Sequence, residues 1–236
     1  MMLIRSNAGV APTLTGAVNL LVVNEIVPAL QRTIGQGLIL PDMIHLVSGS
    51  DADGRVPGRI NPTTGEVVSL DTPVICATEK RDLLRYVLVH ELAHYHELSL
   101  RKTRGIRVPG VGPTQLWSEY FAQRVSWESG VVSAETLLAG GGEGVVEQSL
   151  PQNDKGEAYS FAYMLTFVLA HADAVPNWLD AYPGKEDRLR ATVGVLHTGG
   201  AAKGLFGRFP GWTKADAALA TMLFKGLLKL GRLGSK

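Results

Sequence analysis

His90, Glu91 and His94 form a His-Glu-Leu-Ala-His run in a segment whose apolar residues, Leu83, Leu84, Val87, Leu88 and Leu92, recur at helical spacing. Residues four apart on a helix share a face one turn apart, so both imidazoles can reach one ion. Glu91 projects beside that ion rather than onto it, where a carboxylate can take a proton from water activated by the metal. Two neutral nitrogen ligands and a base on one rigid element suit metal-assisted hydrolysis. The bare pattern arises by chance on the order of once per hundred chains of this size. Its apolar helical setting and a third ligand must therefore carry the assignment.

A catalytic zinc takes three protein ligands and keeps a fourth position open. One source of the third is a His six residues after the second His, with a Gly three residues after it. Those places hold Leu100 and Glu97. Another source is a Glu on a following helix, and Leu116-Trp-Ser-Glu-Tyr-Phe-Ala-Gln-Arg124 supplies Glu119. The intervening chain is long enough for the rest of the first helix, a loop and an antiparallel return. Glu97 is the rival, seven residues after His90 on the same face, although a straight helix carries it a turn beyond the ion.

With both segments in view, His-Glu-Leu-Ala-His followed by Glu119-Tyr-Phe-Ala122 resembles the gluzincin metallopeptidases, whose second motif is Glu-x-x-Ala. The chain is most similar to their minigluzincin-like and phage- or plasmid-associated short cytoplasmic members, over roughly residues 40–130. The resemblance implies a zincin-like α+β fold, with a small twisted sheet packed on the His-bearing helix; the additional N- and C-terminal helices are read from apolar spacing outside the stretch it covers. It implies one Zn2+ per chain held by His90, His94 and Glu119, with Glu91 as general base hydrolysing bonds of a peptide or protein substrate. An edge strand would pair with the extended peptide. The alternative is a catalytically weak or inactive zincin-like regulatory module that binds a protein partner. Larger gluzincins often carry Asp four residues after the ligand Glu. Here that place holds Gln123, which can hydrogen-bond an imidazole but brings no charge.

Peptide hydrolysis also needs a group that meets the developing oxyanion. Tyr159, Tyr163 and His171 lie on a later apolar segment and are the candidates, with His197 and Tyr120 as further options. Taken singly, a buried Tyr more often packs and finds a partner. His96 falls on the helix face opposite His94 and is expected in solvent. Cys76 is expected to be a small buried hydrophobe.

The elements that must position these residues can be read coarsely. Residues 14–34 are apolar at helical spacing, with Pro28 expected to kink or divide the helix. Met43–Ser48 and Glu66–Asp71 are β-prone runs separated by turn signals at Asp53-Gly54, Pro57-Gly58 and Asn61–Gly65, and Pro73–Ala77 is a third short run. Their short connections predict an antiparallel or mixed sheet. A long helix should start near Thr78 and reach about Leu100. A second should span Thr114 to Ser129 and stop at Gly130. Later helices are expected over 157–173, 186–198 and 213–232.

The 236 residues fit one metallopeptidase domain: an N-terminal helical segment (1–38), a zincin core (39–130) and a mostly helical C-terminal part (131–236). A net charge of +1 offers no field to draw in nucleic acid. Cys76 is the single cysteine, so no intramolecular disulfide can form. The apolar run Leu20–Val23 is too broken for a signal peptide, and no stretch reads as long enough to span a bilayer. The expectation is a cytoplasmic protein. Residues 213–232 are the one hint of membrane association, with Leu219, Leu223, Leu227 and Leu230 on one face and Lys225, Lys229 and Arg232 on another. A terminal helix docked on its own domain is the commoner outcome for such a pattern.

Overall fold

The computed structural model describes residues 2–6, 10–47, 58–60, 68–71, 81–105, 111–141, 166–184 and 186–198, with 213–216, 218–219 and 222 near the C-terminus. Among these the architecture is mixed α+β. Strand β1 (Leu3–Ser6) leads into a helix built of α1 (Pro12–Leu21), a π-turn (Val22–Ile26) and α2 (Val27–Ile34). Strands β2 (Met43–Val47), β3 (Gly58–Ile60) and β4 (Val68–Asp71) follow. Then come α3 (Arg81–Thr103), α4 (Val111–Ser129) and α5 (Ala134–Gly141). Helical residues 166–174 (α6), a 3-10 turn at Trp178–Ala181 and α7 (Glu186–Thr198) complete the described chain before residue 213.

The sheet has the order β1-β2-β4-β3 and is mixed. β1 and β4 both run parallel to β2, and β3 pairs antiparallel with β4 on the outer edge. A mixed sheet is one of the two arrangements that the short connections allow, and its two parallel pairs, β1–β2 and β2–β4, are joined through the intervening elements. α1 and α2 form the crossover between β1 and β2, and β3 occupies the connection from β2 to β4. β1 itself was not expected: it is four residues long, and Leu3, Arg5 and Ser6 are exposed, so no alternation marks it. Gly58 opens a strand where a turn was expected. The run Pro73–Ala77, Cys76 included, lies outside the described residues, as does Thr78.

Pro28 does not break its helix. A proline lacks the N–H that would pair four residues back, and its ring crowds that carbonyl. The chain answers with the π-turn just before it, where the Val27 N–H reaches the Val22 carbonyl five residues back. The wider turn keeps Val18, Val22, Ile26 and Leu30 fully buried along one face. The composite helix Pro12–Ile34 is also long and apolar enough to cross a membrane by length and composition, contrary to the sequence reading; a third of its most apolar window is buried. Leu20 and Val23 are its large apolar residues that stand exposed.

α3 is the central element. Leu84, Val87, Leu88, Val89, Leu92 and Ala93 are buried around it, covered by β3, β4, α4, α5 and the π-turn. Each fully buried Leu contributes about 1.5–3 kcal/mol of transfer free energy. Asp82 in its first turn and Arg101 and Lys102 in its last suit the helix dipole. α4 begins with Pro113 in its first turn and ends at Gly130, whose φ of 67° is the left-handed conformation that stops a helix at low cost. Trp117, Tyr120, Phe121, Ala122 and Val125 bury its core-facing side.

The C-terminal expectations are met where residues are described. Residues 166–171 of α6 are buried without exception, as an all-round apolar segment requires. Thr213 and Asp216 cap each other reciprocally: the Thr213 N–H donates to Asp216 Oδ2 at 2.9 Å, and the Asp216 N–H to Thr213 Oγ1 at 3.2 Å. Leu219 packs against the core, whereas Met222 is exposed. Residues 223–232 lie outside the described set.

Candidate metal centre

α3 presents His90 and His94 one turn apart, and their Nε2 atoms stand 3.0 Å from each other with the rings edge to face. α4 brings Glu119 against both. Its Oε2 lies 3.1 Å from His90 Nε2 and its Oε1 3.6 Å from His94 Nε2. The helices run antiparallel: as partners rise along α3 from Tyr86 through His90 to Glu97, those on α4 fall from Gln123 through Glu119 to Ser118. Ala122, fully buried three residues after Glu119, shares its face and is small enough to let the helices approach closely.

Among the described residues, His90, His94 and Glu119 are the group whose ligating atoms converge, all within 4.8 Å of one another. A tetrahedral ion with ligands at about 2.0–2.1 Å separates neighbouring ligand atoms by about 3.3 Å. The observed 3.0–3.6 Å brackets that edge. Two imidazole nitrogens and a carboxylate are also the donor set expected of an open site. The group can hold a metal ion.

The electrostatics agree. Burial alone would raise the Glu119 carboxyl, but the positive charge and hydrogen bonding of His94 and the hydrogen bond from His90 outweigh it, so Glu119 stays far below the ordinary carboxylate range. Burial alone would lower His94, yet the Glu119 carboxylate pushes it up to about 9. Glu91, on α3 between them, is raised by burial, an effect the two histidines only partly offset. A raised carboxyl beside a cation site is a competent proton acceptor.

Behind His94 lies a buried chain that the sequence reading did not anticipate. His94 Nδ1 is 2.7 Å from Ser118 Oγ, which donates to Glu97 Oε2 at 2.9 Å. Arg101 donates from Nη2 to the same Glu97 oxygen at 3.0 Å, and its Nε faces Glu97 Oε1. Burial raises the Glu97 carboxyl, and the Arg101 guanidinium opposes that rise. Glu97 is thus no metal ligand; it sits behind Ser118. Ser118, next to Glu119, and Glu97, three residues after His94, were the signals that could have found this chain.

The remaining expectations fare differently. Gln123 is buried at the site, but its amide donates to the Tyr86 hydroxyl at 2.8 Å rather than meeting an imidazole. Tyr86 packs its ring against His90, 5.4 Å between centroids. His90 Nδ1 is buried and finds no hydrogen-bond partner among the described residues. His171 is not at the metal group. It stacks on Trp127 at 3.8 Å, near Tyr182, and Trp127 is two turns of α4 beyond Glu119, about 12 Å along the axis. Tyr120 turns away to bond Asp173 at 2.6 Å. His96 is buried, not solvated, because the loop after α2 covers it and the Ile39 N–H donates to its Nδ1 at 3.1 Å. Tyr159 and Tyr163 lie outside the described residues, as does the His197 side chain. No family model matches this chain, and no curated protein or solved structure matches it either.

Proposed function

We propose that this protein is a zinc-dependent metallopeptidase with a zincin-like core. The observation that carries the reading is the convergence of His90, His94 and Glu119 at 3.0–3.6 Å beside Glu91 on the same helix. Zinc bound there would supply Lewis acidity, polarising a peptide carbonyl and acidifying water. Glu91, raised by burial, takes the proton of the attacking water and returns it to the leaving amine. Among the described strands β3 is an edge of the sheet and packs against α3, so an extended peptide could add to it as a further strand. The gluzincin-like motifs support the same assignment.

Purified protein should contain one zinc per chain by elemental analysis and cleave a peptide library. Cleavage should stop with a chelator and return with Zn2+. Full cleavage by metal-free protein would sink the proposal.

A second reading keeps the metal but little catalysis, as a module that binds a protein partner. It is favoured by His90 Nδ1, which finds no acceptor among the described residues to orient it, and by the uncharged Gln123, which bonds Tyr86 instead. One stable partner recovered intact, with no peptide cleaved, would select it.

A further inference from the structure

We infer that Ser118, Glu97 and Arg101 form a positioning relay that fixes the tautomer of His94 and so sets the strength of the metal site. The inference rests on the metal reading above. Both Glu97 oxygens face the Arg101 guanidinium, which carries donors and no acceptor, so both act as acceptors. The one Ser118 hydroxyl proton is spent on Glu97 Oε2. Ser118 Oγ can then only accept from His94, and the 2.7 Å contact must be an Nδ1–H donor. In the neutral imidazole that a metal requires, this leaves the His94 lone pair on Nε2, the atom 3.0 Å from His90 and 3.6 Å from Glu119.

The chain is buried throughout: Glu97 is 0% exposed, Ser118 6% and Arg101 7%. A buried ion pair of this kind costs desolvation that a pair of apolar side chains would avoid, so it is a poor device for stability alone. Its end at a ligand imidazole gives it a use. A carboxylate reached through a hydroxyl makes the imidazole more electron-rich and holds its ring plane. His90 has no such support, because its Nδ1 finds no acceptor among the described residues. The site is therefore asymmetric, with His94 as its anchored ligand.

The test is zinc affinity by chelator competition, with thermal melting of the metal-free proteins alongside. Ser118→Ala should bind zinc about 10–100-fold more weakly than wild type. Ser118→Thr and Ser118→Val have nearly the same shape and differ in the hydroxyl, so Thr should bind at least about tenfold more tightly than Val. Glu97→Gln combined with Arg101→Gln removes the charge without stranding either partner, and should weaken zinc with the Ser118 hydroxyl still in place. Equal affinities for Thr and Val, or a Ser118→Ala variant matching wild type, overturn the relay and leave the metal reading intact. Wild type that binds no zinc overturns both.

Discussion

His90 and His94 hold their Nε2 atoms 3.0 Å apart, a distance at which two bare lone pairs repel. A proton or a metal ion must lie between the ligand groups, and the two compete. In the metal-free protein His94 is raised from its ordinary 6.5 to about 9, because the Glu119 carboxylate outweighs burial. A raised folded-state value means the protonated form stabilises the fold. That contribution is whole below about pH 6.5 and is lost as pH rises through about 9. The melting temperature of the metal-free protein should fall across that window. Zinc must displace the proton, so its apparent affinity should rise over the same window by up to about tenfold per pH unit. A flat zinc affinity between pH 6.5 and 9 would contradict the shared site.

Glu119→Ala removes the carboxylate that approaches both imidazoles at 3.1 and 3.6 Å. Zinc content after dialysis should drop well below one per chain. The variant should also lose the alkaline stability window in its metal-free form, since the raised value of His94 depends on Glu119. Unchanged metal content on elemental analysis would reject Glu119 as a ligand.

Glu91→Gln keeps the side-chain shape on α3 and leaves His90, His94 and Glu119 untouched. It should retain one zinc per chain while turnover falls on the order of 10²–10⁴-fold, the usual worth of a positioned base. Wild-type cleavage rates in this variant would remove Glu91 from the mechanism.

The convergence of His90, His94 and Glu119 was legible because helical spacing alone places the two histidines on one face, and because an antiparallel return from α3 to α4 brings Glu119 level with His90. The relay was not legible. Whether Glu97 ligates or stands behind Ser118 depends on the rotation of α4 against α3, which no local pattern encodes. His96 was misplaced for a similar reason: its face looked solvent-bound from α3 alone, and the chain at Ile39 covers it. The same limit hid β1, a short exposed strand whose pairing with β2 depends on where α1 and α2 return the chain. Gln123 shows the converse, since its position beside the site was readable but its partner, Tyr86, was not.

That last pair supplies a test of how the site is held. Tyr86 is one turn before His90, and its buried hydroxyl accepts from Gln123 Nε2 at 2.8 Å. Tyr86→Phe strands a buried amide donor between α3 and α4, which should cost about 1–3 kcal/mol of stability in urea unfolding. Gln123→Leu strands the hydroxyl and should cost a similar amount. The double variant buries no unmatched polar group at either position, so its loss should be smaller than the sum of the two singles. Zinc stoichiometry should stay at one in all three, because neither side chain contacts a ligating atom of the group. A double variant whose loss equals the sum would mean that the two side chains do not depend on each other, and that packing rather than this hydrogen bond ties α4 to α3 at the site.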